Sequence, residues 1–458
     1  MIKITLINQP TVSPLCSAEH AAKTCYQAEV PTLKTDPELV RDFVDKNLFK
    51  TGHHTTLQHQ NFTFVIENIA ISDVTFGLHL TSPFYNSDQR SGRFCGQMFT
   101  NPDYVWIENY IKFFWPEVSD EGLVKILDFV KQSIKIYQDN IEKATDLAKQ
   151  FLRQERPYIS EKFIERNAPK IAQEQLRVFI PTILPTALVY TINLSSLVAL
   201  WQAAWTPVLR FVTDQMRLCV IAEHPALVFM FDEEKRNKTD WAPSIKDSYQ
   251  LKFKPGCSLL DVLDEASFKN PEPHQTQPID LLHFLPEFMD NNIGEVRAEV
   301  EVSVATMGQD QRHRTIKRGA PIFTKNFYCP PIVKELITSE HEAFFLSWAD
   351  DLRGLIPDSL HTAIAPYGAM VEYKKTASAN ALLHEQSKRL CWSAQEEIYH
   401  LSRDLRLLLQ QKLSDSHLLL RALVPPCHDT GKCVEGDRYC GRNINIRISG
   451  DYFPDRCV

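Results

Sequence analysis

The chain has 458 residues, which is more than one ordinary domain of roughly 100–200 residues needs. Its composition, 44% hydrophobic and 23% charged, is typical of a globular protein. A net charge of −7 without a basic stripe argues against a nucleic-acid-binding surface. The sequence has no apolar run of about 18 residues, and its first residues have the pattern of a strand rather than a signal peptide. We therefore expect a cytoplasmic protein without a membrane partner.

The apolar spacing predicts a mixed α and β chain. Met1 to Asn8 has the pattern of a strand, and residues 296–305 alternate apolar with polar or small side chains. Apolar residues three and four apart predict long helices over residues 119–153, 193–218 and 378–412. The last two helices fall at equivalent points of two halves of the chain, which indicates an internal repeat.

The polar segment 232–247, which contains Pro243, has the composition of a linker. It separates a first copy over residues 1–231 from a second copy over residues 248–425, and a cysteine-rich tail follows over residues 426–458. Prolines indicate a further loop within the second copy, at Pro271, Pro273 and Pro278.

Short motifs in the first copy carry groups suited to a phosphate and a cofactor. They are a Gly-His-x-Thr-x-x-Gln segment, a Ser-Gly-Arg loop, an Arg four residues before a Pro, and a Thr-x-Asn sequence. The residues that these motifs and the loop's flank contribute are His53, Thr55, Gln58, Gln89, Ser91, Gly92, Arg93, Arg177 and Asn193.

The second copy carries a different set. Gln309 precedes an Arg-His-Arg triplet, Arg312-His313-Arg314, at what the alternation predicts to be a strand end. A later helical segment contains His384 and Arg389 and continues into Ser-Ala-Gln-Glu-Glu.

Together these motifs resemble the signatures of the flavin-dependent thymidylate synthases. The resemblance implies an α+β fold with two diverged copies in tandem, each a twisted antiparallel-rich sheet with helices. In that family the Arg-His-Arg triplet and the Ser-Gly-Arg loop follow each other closely. Here the first copy has Leu78-His79-Leu80 at the triplet, and the second copy has no such loop.

The losses in the two copies are reciprocal. The family's site is built between subunits, and one subunit gives a Gln, the first Arg of the triplet and a helix Arg. The resemblance implies that Gln309, Arg312 and Arg389 fill these roles. The neighbouring subunit gives the loop and the Arg before Pro, which here match Ser91, Gly92, Arg93 and Arg177 of the first copy. We therefore expect one complete nucleotide site per chain.

The residue types suit this role. Arg presents a planar fork that binds phosphate through two hydrogen bonds, and Gly92 permits close backbone approach to phosphate oxygens. Gln309 offers a donor and an acceptor to a pyrimidine edge. The flavin-contacting positions implied by the resemblance are His53, Thr55, Gln58, Asn193, His313, Arg314 and His384. Ser393 stands where the family has a His that touches flavin.

The tail holds four of the eleven cysteines. Cys427, Cys433 and Cys440, with Cys457 or His428, have a composition that can form a closed tetrahedral zinc site. Their spacing is looser than Cys-x-x-Cys, so free or redox-labile thiols remain the alternative.

The resemblance implies reductive methylation of dUMP to dTMP. Methylenetetrahydrofolate would supply the carbon, FAD would relay the hydride, and NADPH would supply the electrons. Arg312 and Arg389 would polarise the uracil and hold it at the flavin. Because the family assembles as a tetramer of single copies, a two-copy chain should form a homodimer. Two alternatives remain open: a C5-alkylating enzyme for another pyrimidine nucleotide, and a non-catalytic nucleotide- or flavin-binding protein.

Overall fold

The computed structural model describes residues 1–80, 85–92, 95–263, 294–413, 418–430, 432–433, 435–436, 439–442 and 453–458. Its strands are β1 (Lys3–Asn8), β2 (Asn61–Ala70), β3 (Tyr85–Gln89), β4 (Pro185–Asn193), β5 (Leu251–Lys252), β6 (Gly256–Leu263), β7 (Glu295–Ser303), β8 (Lys317–Arg318), β9 (Ile322–Tyr328) and β10 (Ala369–Ser378).

The α-helices of the N-terminal half are α1 (Pro14–Thr24), α2 (Glu38–Phe43), α3 (Ile71–Thr75), α4 (Gln97–Thr100), α5 (Tyr104–Phe114), α6 (Asp120–Glu155), α7 (Glu161–Leu176), α8 (Leu194–Ala203) and α9 (Pro207–Glu223). Those of the C-terminal half are α10 (Val304–Asp310), α11 (Pro331–Lys334), α12 (Ser339–Asp351), α13 (Asp358–Ile364), α14 (Ala379–Arg389), α15 (Glu396–Lys412), α16 (Leu418–Ala422) and α17 (Pro426–Thr430). Shorter turns include 3-10 segments at Leu78–Leu80 and Arg177–Phe179.

The N-terminal half is built on an antiparallel sheet with strand order β1-β2-β4-β3. Strand β2 alternates, and its inward side chains Phe62, Phe64 and Ile66 are buried in the core. Because successive side chains of a strand point to opposite faces, one face of the sheet carries these apolar residues, and helices cover that face.

The C-terminal half repeats this topology. Its sheet runs β6-β7-β10-β9, with β5 at the edge beyond β9 and β8 pairing on β10. Strand β10 pairs with β7 just as β4 pairs with β2: Pro185 lies opposite Ala70, and Met370 lies opposite Ser303. The α+β fold with antiparallel sheets predicted from the sequence is confirmed.

The helix predicted over residues 119–153 is observed as α6, which begins after Ser119. The Ser119 side chain accepts a hydrogen bond from the Gly122 N–H at 3.1 Å, and the acidic residues Asp120 and Glu121 follow in the first turn. Acidic side chains near a helix N-terminus interact favourably with the helix dipole.

The other two predicted long helices are each broken in two, so those predictions were wrong in their extent. Helix α8 ends at Ala203, and Thr206 caps α9, which begins with Pro207. Proline is favoured at the first helical position but cannot continue a preceding helix, which explains this break. In the C-terminal half α14 ends at Arg389, and α15 starts after the extended residue Gln395.

The segment before the Arg-His-Arg triplet also differs from the prediction. The strand β7 ends at Ser303 rather than continuing to residue 305, and helix α10 follows it. Ser303 caps this helix by accepting from the Thr306 N–H at 3.1 Å. Gln309 therefore lies on a short helix and not at a strand end.

The two halves cross at a pair of matching proline turns. Pro181 and Pro366 form an isolated antiparallel bridge, and Thr182 donates its N–H to the carbonyl of Ala365 at 2.9 Å. Beside the bridge, a Cβ on Gly368 would lie 2.5 Å from the Phe327 ring and 2.9 Å from Val178. Only glycine fits at this crossing.

The segment predicted as a linker, residues 232–247, packs along both halves. Asn237 and Trp241 donate their N–H groups to the carbonyls of Gln202 and Trp205 at 2.7 and 2.9 Å. The predicted loop with Pro271, Pro273 and Pro278 lies outside the described residues. Within the described part of the chain, no helix is long and apolar enough to cross a membrane.

Candidate active site

The side chain of Gln395 joins residues from both halves. Its Oε1 accepts a hydrogen bond from Arg177 at 2.7 Å and another from the Gln309 amide. Arg177 belongs to the N-terminal half, and the two glutamines belong to the C-terminal half. We call Gly92, Arg177, Gln309 and Gln395 the crossing site, because they lie where the two halves cross.

Local structure places each of these side chains. Arg177 follows directly after α7 and opens the 3-10 turn that leads to Pro181. Gln309 is held on α10 by the buried carboxylate of Glu397, which accepts from the Ser303 N–H at 2.7 Å and from the Thr306 hydroxyl at 2.6 Å. Burial raises the pKa of Glu397. This carboxylate anchors the helix that carries Gln309.

The loop of the N-terminal half reaches the same place. Gln173 donates its side-chain amide to the Gly92 carbonyl. A Cβ on Gly92 would lie 3.1 Å from the Phe99 ring and 3.7 Å from the Arg177 guanidinium. The absent side chain thus lets the loop backbone approach Arg177. Ser91 is half-buried beside it, and Arg93 lies outside the described residues.

Two buried N–H groups of the crossing site have no hydrogen-bond partner within the described structure. They are Nε of Arg177 and Nε2 of Gln395, on side chains whose residues are 6% and 1% exposed. Buried donors are normally satisfied, and both of these suit an oxygen-rich ligand. The guanidinium of Arg177 also lies 5.4 Å from the centre of the Tyr367 ring, which holds its orientation.

Arg389 lies next to this group at the end of α14. It donates to the Gln309 carbonyl at 2.8 Å and through Nε to His313 Nε2 at 2.9 Å. Since His313 accepts at Nε2, its ring is neutral with the proton on Nδ1. Burial, followed by the charge of Arg389, lowers the pKa of His313 well below its usual value. Three of the residues predicted for the site, Gln309, His313 and Arg389, are thereby joined.

The two arginines of the triplet lie elsewhere. Arg312 donates to the Ser87 carbonyl of β3 at 2.6 Å, and burial lowers its pKa. Arg314 donates to the Asn86 side chain at 2.8 Å, and its guanidinium lies 4.9 Å from the centre of the Tyr85 ring. Both arginine side chains therefore contact β3 of the N-terminal half, the strand that ends at Gln89.

The remaining flavin-contacting positions predicted from the sequence are not assembled in one place. His53, Thr55 and Gln58 are exposed around a 3-10 turn, and in the described structure none hydrogen-bonds to His313. Asn193 caps α8 by accepting from the Ser196 N–H at 2.8 Å. His384 does lie near the triplet, with its ring centre 5.5 Å from that of His313.

The zinc site predicted in the tail finds no support. Among the residues that the structure describes, no three His, Cys, Asp or Glu side chains form a group that could hold a metal. Cys457 instead sits against α6 and α7, where its N–H donates to Glu155 and its carbonyl accepts from Gln175 at 2.5 Å. The thiols of Cys427, Cys433, Cys440 and Cys457 are free of disulfides.

Gln395 is the functional residue that the sequence reasoning missed. Its Ala-Gln-x-Glu context was recognised as part of the resembling helix, but no role was given to the side chain. The pattern places Gln395 directly before Glu396 and Glu397, and both acids are buried at the start of α15. A glutamine directly before two acidic residues in a largely apolar setting is the signal that was available.

A family model matches most of the N-terminal half. Residues 6–207 match the family model described as thymidylate synthase complementing protein. This part of the chain is therefore similar to that family, and it contains Gly92 and Arg177, the N-terminal side of the crossing site. The match ends before the second sheet begins.

Named relatives agree with this similarity. The flavin-dependent thymidylate synthase of Clostridium tetani is 26% identical over 201 residues, which cover 43% of this chain and 71% of the relative. A structure of flavin-dependent thymidylate synthase from Helicobacter pylori, complexed with FAD and dUMP, shares 14% identity at a TM-score of 0.34 and covers 51% of this chain and 100% of its own. The UMP/dUMP methylase PolB of Streptomyces cacaoi, bound with 5-Br UMP, shares 16% identity at a TM-score of 0.30, covering 40% of this chain and all of its own. These TM-scores are too low to add to the family match.

Proposed function

We propose that this protein is a flavin-dependent thymidylate synthase that converts dUMP to dTMP. The observation that carries the proposal is the meeting of Arg177 and Gln309 on one oxygen of Gln395, because it joins the two halves within a single chain. The family match of residues 6–207 and the name of the Clostridium tetani relative support the reaction.

The crossing site would bind the phosphate of dUMP. Its buried N–H groups on Arg177 and Gln395 would donate to phosphate oxygens, together with the backbone beside Gly92. Arg93 belongs to the same loop in sequence and would add a second guanidinium. These contacts fix the nucleotide in one orientation relative to α10 and α14.

Gln309 and Arg389 would hold the uracil. The amide of Gln309 can pair with the edge of the base, and Arg389 lies against the Gln309 carbonyl, 2.8 Å away. A positive charge at the carbonyl oxygens withdraws electrons from the ring, which makes C6 more electrophilic without a covalent bond to the enzyme. Arg312 would hold β3 in place from its contact with Ser87.

The residues of this chain could form part of a flavin site. A bound FAD would supply the hydride relay between NADPH and the methylation of the base by methylenetetrahydrofolate. The buried Nδ1 of His313, which has no partner within the described structure, and the neighbouring His384 form one side of a polar flavin site. His313 is held neutral by Arg389, so it donates through Nδ1.

The other side of the flavin site would come from a second chain. His53, Thr55 and Gln58 are exposed on the N-terminal half, so they are accessible to a neighbour. We propose a homodimer in which these residues and Asn193 of one chain complete the flavin site at His313 of the other. Residues 1–231 and 248–425 would be two diverged copies, so the dimer has the content of a four-copy assembly.

Growth of a cell that lacks thymidylate synthase tests the proposal. The wild-type chain should restore growth without thymidine, and the purified protein should carry the absorbance of FAD. Arg389→Ala should abolish rescue. Arg297→Ala, at an exposed arginine on β7, is the matched control and should not. Failure of wild-type rescue by a protein that is folded, binds dUMP and carries no flavin would favour the non-catalytic alternative.

A further inference from the structure

A cavity beside the triplet lies outside the crossing site. Its volume is about 590 Å³, within the range of about 300–1,000 Å³ typical of small-molecule sites. Tyr85 and Trp205 of the N-terminal half, Trp241 of the connecting segment, and Gln311, Arg314 and Lys317 of the C-terminal half line it. Gly92, Arg177, Gln309 and Gln395 do not. We call it the second cavity.

The walls offer both aromatic faces and positive charge. Trp205 and Trp241 stand edge to face, with ring centres 6.2 Å apart, and Trp205 is fixed by its indole N–H donating to the Phe76 carbonyl at 3.0 Å. None of the described residues that line the cavity is an aspartate or a glutamate. In the described part of the chain, Arg314 and Lys317 have no carboxylate partner, whereas Arg318 is neutralised by Asp310. The cavity therefore carries an uncompensated positive charge.

Gln311 supplies an independent sign of a ligand. The residue is 5% exposed, and its amide N–H donates to the Thr75 carbonyl at 3.0 Å. Its Oε1 is buried without a hydrogen-bond partner within the described structure, although Gln311 lines the cavity. A buried acceptor without a partner costs free energy unless a ligand or water donates to it. The missing group is an N–H or O–H.

We propose that the second cavity binds a nucleotide other than the one being methylated. Its base would lie against the indoles of Trp205 and Trp241 and donate an N–H to Gln311. Its phosphates would lie between Arg314 and Lys317. Since Arg314 also donates to Asn86 and Ser87 on the strand leading to the Ser91-Gly92 loop, occupancy would bear on the crossing site. The coupling rests on the proposed function, but the binding itself does not.

The probe is dTTP, titrated into the full-length protein by calorimetry with tryptophan fluorescence as a second readout. We expect one dTTP per chain and a change in emission that Trp241→Phe reduces. Inorganic triphosphate and thymidine, which each carry half of the required chemistry, should bind at least tenfold more weakly. Absence of dTTP binding at millimolar concentration overturns the proposal.

Variants locate the site. Lys317→Glu and Gln311→Leu should each weaken dTTP at least tenfold. Lys143→Glu, an exposed lysine of α6 outside the cavity lining, is the matched control and should leave it unchanged. Arg177→Ala should also retain dTTP binding, which separates this proposal from that for the crossing site. If Lys317→Glu and Gln311→Leu bind dTTP normally, the ligand sits elsewhere and the proposal is wrong.

Competition between FAD and dTTP tests the alternative that the second cavity binds flavin. If FAD displaces dTTP, and Lys317→Glu weakens FAD binding as much as it weakens dTTP binding, the second cavity is the flavin pocket and the proposal fails. If FAD and dTTP bind together, the two sites are distinct, as proposed.

Discussion

The crossing site and its counterpart in the repeat have the same backbone frame and different contents. Thr362 precedes Met370 of β10 by as many residues as Arg177 precedes Pro185 of β4, and Ala204 occupies the position that Arg389 holds in the other half. At the crossing site Arg177 meets two glutamines, and Arg389 lies beside them. At the counterpart, Thr362 and Trp205 surround a residual cavity of only about 10 Å³.

The connecting segment explains the difference. Trp241, Ala242 and Pro243 line the counterpart and fill it from the side. A site without a cation has no guanidinium to solvate, so these side chains can close it without burying an unpaired positive charge. The reciprocal losses in the sequence therefore leave one site that keeps its arginines and one that has no cation among its described residues and is nearly filled.

Removing the side chains at the matched positions 177 and 362 should have the largest and most unequal effects on dUMP affinity. Arg177→Ala removes a charged donor and should weaken dUMP binding by about 1.5–3 kcal/mol, or roughly ten- to hundredfold. Thr362→Ala, its positional counterpart, should change dUMP affinity less than about twofold. Calorimetry on the two folded variants measures both. Equal losses would mean that both positions contact nucleotide.

A glycine pair tests the crossing itself. Gly368→Ala places a Cβ against the buried Phe327 ring and Val178, and should lower the free energy of unfolding by about 1–3 kcal/mol. Gly308→Ala on α10 is the control, because a Cβ there meets nothing within 4 Å and alanine favours a helix. Thermal unfolding distinguishes them. A Gly368→Ala protein as stable as wild type would contradict the tight crossing.

The histidines of the two triplet segments should make stability sensitive to acid. Burial, then the charges of Arg312 and Arg314, lowers the pKa of His79 to about 3. The unfolded chain takes up that proton below a pKa of about 6.5, so the stabilisation is complete above that pH and is lost as pH falls toward 3. His79→Gln should therefore lose about 2 kcal/mol less than wild type between pH 7 and pH 5 in chemical denaturation. If the free energy of unfolding has the same pH dependence in both proteins, His79 takes up its proton in the folded protein as readily as in the unfolded chain.

The smallest effect is expected where the counterpart is closed. Trp241→Ala opens space beside Thr362 but adds no cation, so it should not create a second dUMP site. Because Trp241 also lines the second cavity, the change is made in the Lys317→Glu chain, and calorimetry should give the same dUMP stoichiometry as for that chain alone. A new dUMP site of similar affinity would show that the tryptophan alone had blocked binding.

The sequence predicted the fold class, helix α6 and the pairing of Arg177 with the C-terminal half through motif and periodicity. It did not predict the breaks after Ala203 and Arg389, since apolar spacing continues across both and only Thr206, Pro207 and local capping decide them. It placed Gln309 on a strand because β7 alternates up to Ser303. The orientation of Arg314 toward Tyr85 and the packing of Trp241 depend on long-range contacts that no local pattern encodes.

The stoichiometry of dUMP binding tests the central claim most directly. Titration of the Lys317→Glu chain by calorimetry removes any contribution of the second cavity and leaves the crossing site and its counterpart. One dUMP per chain, weakened at least tenfold on adding Arg177→Ala, is the result that a single composite site predicts. Two equivalent dUMP molecules per chain, or one that binds as tightly without Arg177, would contradict it.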